Sequence, residues 1–206
     1  MTPAGGVRPV VDEARDPWTV TSSHVVYENP WIRVRHDEIV DPSGRPGVYG
    51  VMSPRNFALG VLPIHDDGTT VLVGQYRYPQ QSYSWEMPEG GGSKDLDPRH
   101  SIARELREET GLVADNWHEV CQLMLSNSVT DERAICWVAW GLTDGEAEPE
   151  STEELARWRM PFADAVAMVW DGQITDSMTV ATIAKLEAMR LAGQLPAALS
   201  AILGRA

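Results

Sequence analysis

The chain is poor in the residues on which several protein classes depend. Its 206 residues include only two cysteines and five histidines. Cys121 and Cys136 lack the spacing of a metal site, and the histidines form no close pair of the metalloprotease type. Two scattered cysteines are typical of a reduced protein, although pairing between them stays open. We therefore expect a cytoplasmic protein without a cysteine- or histidine-based metal site.

Long apolar stretches and positive charge are also scarce. No uninterrupted apolar run reaches membrane-spanning length, and the first residues lack the apolar core of a signal peptide. The 17 Lys and Arg residues are outnumbered by 30 Asp and Glu, which leaves a net charge of −13. This negative net charge argues against nucleic-acid and anionic-membrane partners, since both bind preferentially to Lys and Arg side chains. An anionic small molecule is not excluded, because a metal ion and a few arginines supply local positive charge.

The length of the chain predicts one domain with a small N-terminal addition. Residues 1–17 are rich in Gly, Pro and charge, which predicts a flexible N-terminus. Residues 18–55 alternate apolar and polar side chains around a turn signal at Asp41–Gly44, and so predict an antiparallel sheet of three strands. Residues 56–206 mix strands and helices without strict alternation, which indicates an α+β fold or a mixed sheet flanked by helices.

The elements expected in the larger region follow from its apolar runs and turn residues. An apolar strand over 58–64 should turn at Asp66–Gly68 and pair as a hairpin with a return strand over 70–76. Further strands are expected over 120–125, 134–140 and 158–160, and helices over 161–170 and 180–191.

The most informative segment is residues 90–112, GGGSKDLDPRHSIARELREETGL. Asp97 is a good N-cap with Pro98 at the first helical position, and Gly111 suits the C-terminal cap. The pattern predicts a glycine-rich loop followed by a helix of about thirteen residues, from Pro98 to Thr110. Its apolar stripe, with Ile102 and Leu106, should face the sheet.

Three carboxylates of this helix share one face. Glu105, Glu108 and Glu109 are spaced i, i+3 and i+4, so their charges repel one another. A divalent cation converts that repulsion into binding, and carboxylate oxygens are natural ligands of Mg²⁺. The alternative is a solvated acidic helix, which a charge run alone usually indicates.

The same segment resembles the Nudix hydrolase signature, which is Gly, five residues, Glu, seven residues, then R-E-(apolar)-x-E-E-x-G-(apolar). Gly90 opens it, and Arg104–Leu112 match every fixed position of the second half. Leu96 departs from the pattern, since it stands where the first Glu is due, although a neighbouring aspartate can substitute. The resemblance implies a Nudix fold, a mixed sheet in an α/β/α sandwich, and use of Mg²⁺ or Mn²⁺.

Four segments outside the signature narrow the resemblance to bacterial ADP-ribose and nucleoside-diphosphate-sugar pyrophosphatases. This branch implies hydrolysis of a pyrophosphate bond to a nucleoside monophosphate and a sugar phosphate, by a homodimer whose N-terminal strands cross to the partner. Alternatives are hydrolysis of dinucleoside polyphosphates, RNA 5′-end processing, or a non-catalytic nucleotide-binding regulator. The four segments are Glu28–Trp31, Gly74–Pro79, Ser84–Gly91 and Thr152–Leu155.

The resemblance also implies roles for individual residues. Glu105, Glu108 and Glu109 would bind the metal, together with the backbone carbonyl of Glu89. The general base would be a glutamate in the acidic loop after the motif helix, where Glu153 aligns best. The other candidates for the base are Glu154, Glu150 and, on the helix itself, Glu108.

Substrate contacts are implied for five further residues. Arg77 would bind the pyrophosphate, with a structural ion pair as the alternative. Glu86 would bind the ribose or a metal, unless it is only a strand-end residue. Arg55, Tyr27 and Trp31 are further candidates. An aromatic of the N-terminal sheet would stack on the nucleobase, but core packing is the favoured interpretation of Tyr27 and Trp31.

Overall fold

The computed structural model describes residues 12–145 and 155–204. The chain divides into two compact units, Met1–Met52 and Ser53–Ala206. No helix in the described part of the chain is long and apolar enough to cross a membrane.

The first unit is built on a three-stranded sheet of order β1-β2-β3, in which β1 and β2 are antiparallel. Its strands are β1 (Thr19–Glu28), β2 (Ile32–Val40) and β3 (Pro46–Pro54). The side chain of Asn29 closes the first turn by accepting hydrogen bonds from the backbone N–H groups of Trp31 and Ile32. The predicted turn at Asp41–Gly44 is confirmed, with Gly44 in the left-handed region at φ 83°.

The second unit contains two sheets. A four-stranded sheet has the order β7-β4-β9-β8, and a three-stranded sheet has the order β10-β5-β6. The first is mixed, because β4 runs parallel to β9 and antiparallel to β7. The strands are β4 (Asn56–Pro63), β5 (Thr69–Arg77), β6 (Ser82–Glu86), β7 (Glu89–Ser93), β8 (Leu112–Met124), β9 (Arg133–Asp144) and β10 (Ala156–Pro161).

Helices cover both faces of the four-stranded sheet. One core cluster joins Ile102 and Leu106 of α1 to Leu59 of β4, and the other gathers residues of α2, α3 and α4. Strand β9 contributes to both core clusters, with Val138 in one and Ala139 in the other. This follows because successive side chains of a strand point to opposite faces. The predicted mixed sheet between helices is therefore confirmed. The helices are α1 (Pro98–Thr110), α2 (Phe162–Trp170), α3 (Ser177–Leu191) and α4 (Ala197–Leu203).

The hairpin predicted for β4 and β5 is wrong. The turn at Asp66–Gly68 is present, but the two strands lie in different sheets, with an isolated bridge between Ile64, just after β4, and Thr70 of β5. Strand β4 pairs with β7 and β9 instead. The turn therefore carries the chain from one sheet into the other.

Three further expectations need correction. The glycine-rich segment is not a loop, because Glu89–Ser93 forms strand β7. Helix α3 starts at Ser177, capped by Asp176, rather than near residue 180. Helix α4 was not predicted at all. By contrast, α1 spans Pro98–Thr110 as expected, with Asp97 accepting from the backbone of Arg99 and Gly111 at φ 79°.

Candidate active site

The glycine strand β7 lies directly against the motif helix α1. A Cβ atom at Gly90 would stand 2.3 Å from Cδ and 2.4 Å from Cγ of Glu105. Only glycine leaves this space to the Glu105 carboxylate. The backbone of β7 and one carboxylate of α1 are thus in close contact.

A second carboxylate of α1 contacts the same strand. Glu109 is 3% exposed, and its Oε2 accepts a hydrogen bond of 3.2 Å from the backbone N–H of Glu89. Glu89 is the residue whose carbonyl was expected to join the metal ligands. The fold therefore brings the backbone of Glu89 to Glu109, and that of Gly90 to Glu105.

Arg104 offsets part of the negative charge on this helix face. Its guanidinium donates to Glu105 and, at 2.6 Å, to Oε2 of Glu108. Among the described residues, no three His, Cys, Asp or Glu side chains form a ready metal-binding group. The carboxylates nevertheless fit a hard cation, because they supply oxygen donors beside a glycine backbone that keeps the space open.

Arg77 and Glu86 form an ion pair in which the carboxylate is buried and the guanidinium is partly exposed. They belong to neighbouring strands β5 and β6, and Nε of Arg77 lies 3.1 Å and 3.0 Å from the two carboxylate oxygens of Glu86. Nη2 of Arg77 also donates to Glu86. Glu86 is 3% exposed, and hydrogen bonding to it raises the pKa of Arg77. The ion pair anticipated as an alternative for Arg77 is present, and its partner Glu86 is the last residue of β6.

The side chain of Glu89, the first residue of β7, is partly buried against α3. Its Oε1 accepts a hydrogen bond of 3.2 Å from the hydroxyl of Thr179, near the start of α3. Burial, and then the nearby carboxylate of Asp176, raise the pKa of Glu89 well above its usual range. Glu89 therefore reaches the site through its backbone while its side chain anchors it to α3.

The acidic loop lies outside the described residues, and with it Glu150, Glu153 and Glu154. The chain on either side of it meets the end of α1. The backbone N–H of Gly145 donates to the Gly111 carbonyl at 2.7 Å, and Nη1 of Arg157 donates to the Thr110 carbonyl at 3.2 Å. Both flanks of the loop are thus fixed to the C-terminus of the helix that carries Glu105 and Glu109.

Leu96 and Arg55 lie away from these contacts. Leu96 is 64% exposed in the turn before α1, and the neighbouring Asp97 is engaged as the helix cap. Arg55 is exposed at the bend before β4. Its neighbour Asn56 pairs with Ser93, four residues along β7 from Glu89, which is about 13 Å at 3.3 Å per residue.

The favoured interpretation of Tyr27 and Trp31 as core residues is wrong. They are 55% and 72% exposed on the first unit. Both rings are therefore available to a ligand or a partner chain.

Sequence reasoning missed three residues of this region, Asp176, Thr179 and Arg157. Asp176 accepts a hydrogen bond of 2.7 Å from the backbone N–H of Thr179. An Asp three residues before a polar side chain at a helix start is a recognisable capping signal. That signal would have found the first two, whereas no local pattern marks Arg157.

Comparisons with known proteins agree with this geometry. A family model described as the NUDIX domain matches residues 54–178, and one described as the nucleoside diphosphate sugar hydrolase N-terminal domain matches residues 18–52. The chain is 30% identical to an ADP-ribose pyrophosphatase of Mycobacterium tuberculosis over 173 residues, which cover 82% of each chain.

Two further proteins are similar. A GDP-mannose pyrophosphatase of Yersinia enterocolitica is 29% identical over 61% of this chain and 70% of its own. A crystal structure of an ADP compounds hydrolase superposes with a TM-score of 0.77 over 89% of this chain and all of that one, at 21% identity. The latter likeness concerns the fold.

Proposed function

The chain belongs to the Nudix family and is a Nudix pyrophosphohydrolase, and we propose that it hydrolyses ADP-ribose or another nucleoside diphosphate sugar. The observation that carries the proposal is the contact of Glu105 and Glu109 with the backbone of β7. The names of the relatives and of the N-terminal family model support the substrate class.

The proposed reaction is the attack of water on the pyrophosphate. A water oxygen forms a bond to one phosphorus of the pyrophosphate, and the bond from that phosphorus to the bridging oxygen breaks. The water proton goes to a carboxylate base, and the products are a nucleoside monophosphate and a sugar phosphate. ADP-ribose would give AMP and ribose 5-phosphate.

Glu105, Glu108, Glu109 and the Glu89 carbonyl would hold Mg²⁺ or Mn²⁺. When bound, such an ion supplies charge neutralisation for the pyrophosphate oxygens. Arg104 shares its charge with Glu105 and Glu108, so its guanidinium offsets part of the repulsion between these two carboxylates. We propose Glu153 as the general base, with Glu108 as the alternative on the helix.

Arg77 is the proposed pyrophosphate ligand. Its pair with Glu86 uses Nε and Nη2, and we propose that the Nη1 side meets a phosphate oxygen. Glu86 would then orient the guanidinium. Arg55 remains a further candidate, at the exposed bend just before β4.

We also propose a homodimer formed through the first unit. All ten residues of β1 are exposed in the single chain, including Val20, Val25 and Val26. Apolar side chains on both faces of a strand are typical of a surface that a partner covers. Tyr27 and Trp31 would then stack on the nucleobase. A monomer in size exclusion with light scattering, at micromolar concentration, would contradict the dimer.

A cytoplasmic location is part of the proposal. Cys121 and Cys136 face each other across β8 and β9, yet both are free thiols. Neighbouring cysteines without a disulfide between them are typical of a reducing compartment. Thiol titration of protein purified without reductant should find two thiols, and a recovered disulfide would count against this location.

The substrate class is tested by a panel with Mg²⁺. It contains ADP-ribose, ADP-glucose, GDP-mannose, UDP-glucose, a diadenosine polyphosphate and a nucleoside triphosphate, with products followed by chromatography. Release of nucleoside monophosphate from the diphosphate sugars, lost in Glu109→Gln, is the expected result. Turnover of the polyphosphate alone would favour that alternative, and no turnover would favour a regulator.

A further inference from the structure

Thr179 lies where helix α3 meets the bend between β6 and β7. It is fully buried, at 0% exposure, in the first turn of α3. Its hydroxyl oxygen accepts a hydrogen bond of 3.0 Å from the backbone N–H of Met87, and it donates one of 3.2 Å to Oε1 of Glu89. One hydroxyl therefore holds the chain on both sides of Pro88.

We propose that Thr179 is a positioning residue for the metal site. By fixing Met87 and Glu89 together, its hydroxyl sets where the backbone of Glu89 stands relative to Glu109. This inference rests on the proposed function, since it takes the Glu89 carbonyl and the Glu109 carboxylate as metal ligands.

The hydrogen bonds form a continuous chain from α3 to α1. Asp176 accepts from the N–H of Thr179, the hydroxyl of Thr179 donates to the Glu89 side chain, and the Glu89 N–H donates to Glu109. The Pro88 carbonyl accepts a further hydrogen bond of 2.9 Å from the backbone N–H of Val61 on β4. The bend before β7 is thus held from α3, from β4 and from α1.

The chemistry of the position requires a hydroxyl. The group must accept from a backbone N–H and donate to a carboxyl at the same time, which Ser and Thr can do. Valine has the shape of threonine but neither function, so it leaves the buried N–H of Met87 and the partly buried carboxyl of Glu89 without their partner. A buried polar group that loses its partner moves towards water or another donor, and here that movement shifts Glu89.

The same helix provides a matched control. Thr182 lies three residues further along α3 and is also 0% exposed, but its hydroxyl contacts Sγ of Cys121 at 4.0 Å. Thr182→Val removes an equally buried hydroxyl from the same helix without touching the bend before β7. It separates a general effect of packing in α3 from an effect on the metal site.

The experiment measures Mn²⁺ binding by electron paramagnetic resonance, together with kcat and the Mg²⁺ concentration that gives half-maximal rate. We expect Thr179→Val to bind Mn²⁺ about tenfold more weakly, which is the size of one hydrogen bond. Thr179→Ser should restore binding to within about twofold, and Thr182→Val should stay within about twofold of the wild type.

Other outcomes overturn the inference. An unchanged Mn²⁺ affinity in folded Thr179→Val would overturn it. An equal loss of Mn²⁺ affinity in Thr182→Val would also overturn it. If the valine variants do not fold, Thr179→Ala and Thr182→Ala replace them with the same expectations. Failure of the proposed function is seen separately. If the wild-type protein binds Mn²⁺ but hydrolyses no nucleotide sugar, only the proposed function is contradicted. If Glu109→Gln leaves the Mn²⁺ affinity unchanged, both the proposed metal site and the role of Thr179 are contradicted.

Discussion

The three consecutive glycines of β7 should respond differently to the same substitution by alanine. None has a positive φ, so an added methyl group meets its neighbours without backbone strain. At Gly90 the neighbour is the carboxylate of Glu105, at Gly91 it is the amide of Asn56, and at Gly92 it is the core residue Leu59. Successive side chains point to opposite faces of a strand, so Gly90 and Gly92 share the face that meets α1 and Gly91 points to the other face.

Gly90→Ala should damage activity more than stability. The added Cβ would lie 2.3 Å from Cδ of Glu105, whereas carbon atoms in ordinary contact are about 3.5 Å apart. Glu105 must therefore retreat by about 1.2 Å, which a flexible side chain can do at little cost in folding. A displacement of this size lowers the rate by about a hundredfold.

Gly92→Ala should show the opposite balance. Its Cβ would lie 2.3 Å from Cδ1 of Leu59, a fully buried residue, and 3.2 Å from Cβ of Ser101. Overpacking of this kind costs about 1–3 kcal/mol of unfolding free energy. Gly91→Ala is the control, since its Cβ would meet only Asn56, at 3.0 Å and beyond.

The assay combines urea unfolding with steady-state kinetics on the preferred nucleotide sugar. The expected pattern is lost activity with retained stability for Gly90→Ala, and lost stability for Gly92→Ala. Full activity in Gly90→Ala would refute the placement of Glu105 beside Gly90. Equal losses of stability in all three variants would refute the assignment of their separate neighbours.

Three further predictions concern charge and pH. Arg77→Ala should lose about 1–3 kcal/mol because it leaves buried Glu86 unpaired, and Arg77→Ala with Glu86→Gln should recover part of the stability in urea unfolding but none of the activity. Burial lowers the pKa of His65 below its usual 6.5, so the unfolded chain binds the proton more readily below pH 6.5. As the pH is lowered below 6.5, the unfolding free energy should therefore decrease more steeply in the wild type than in His65→Gln. Parallel curves of unfolding free energy against pH would contradict this. Leu96→Glu, at an exposed turn residue, should change stability by less than about 0.5 kcal/mol and leave kcat unaltered, whereas a large gain in activity would give the missing glutamate a role.

Local signals explain which parts of the fold were predictable. Helix α1 has the predicted bounds because Asp97, Pro98 and Gly111 act on their own neighbours in the chain. The partners of β4 were missed because alternation predicts a strand but not its sheet. Strand β9, which lies beside β4, comes some 75 residues later in the chain, and no local pattern announces that pairing.

The same distinction applies to the site. The spacing of Glu105, Glu108 and Glu109 is visible in the sequence because one helix carries all three. Thr179 contacts Glu89 across 90 positions of the chain, so only the tertiary structure brings them together. Arg77 and Glu86 were assigned separate roles, whereas the pairing of β5 with β6 joins them in one ion pair.

The most direct test of the proposed function identifies the products of one reaction. Phosphorus NMR should follow ADP-ribose with Mg²⁺ and the wild-type protein, beside Glu109→Gln and a sample with excess EDTA. We predict AMP and ribose 5-phosphate in the first sample alone. If inorganic phosphate is the first product, or if Glu109→Gln turns over ADP-ribose at the wild-type rate, pyrophosphate hydrolysis by the α1 carboxylates is contradicted.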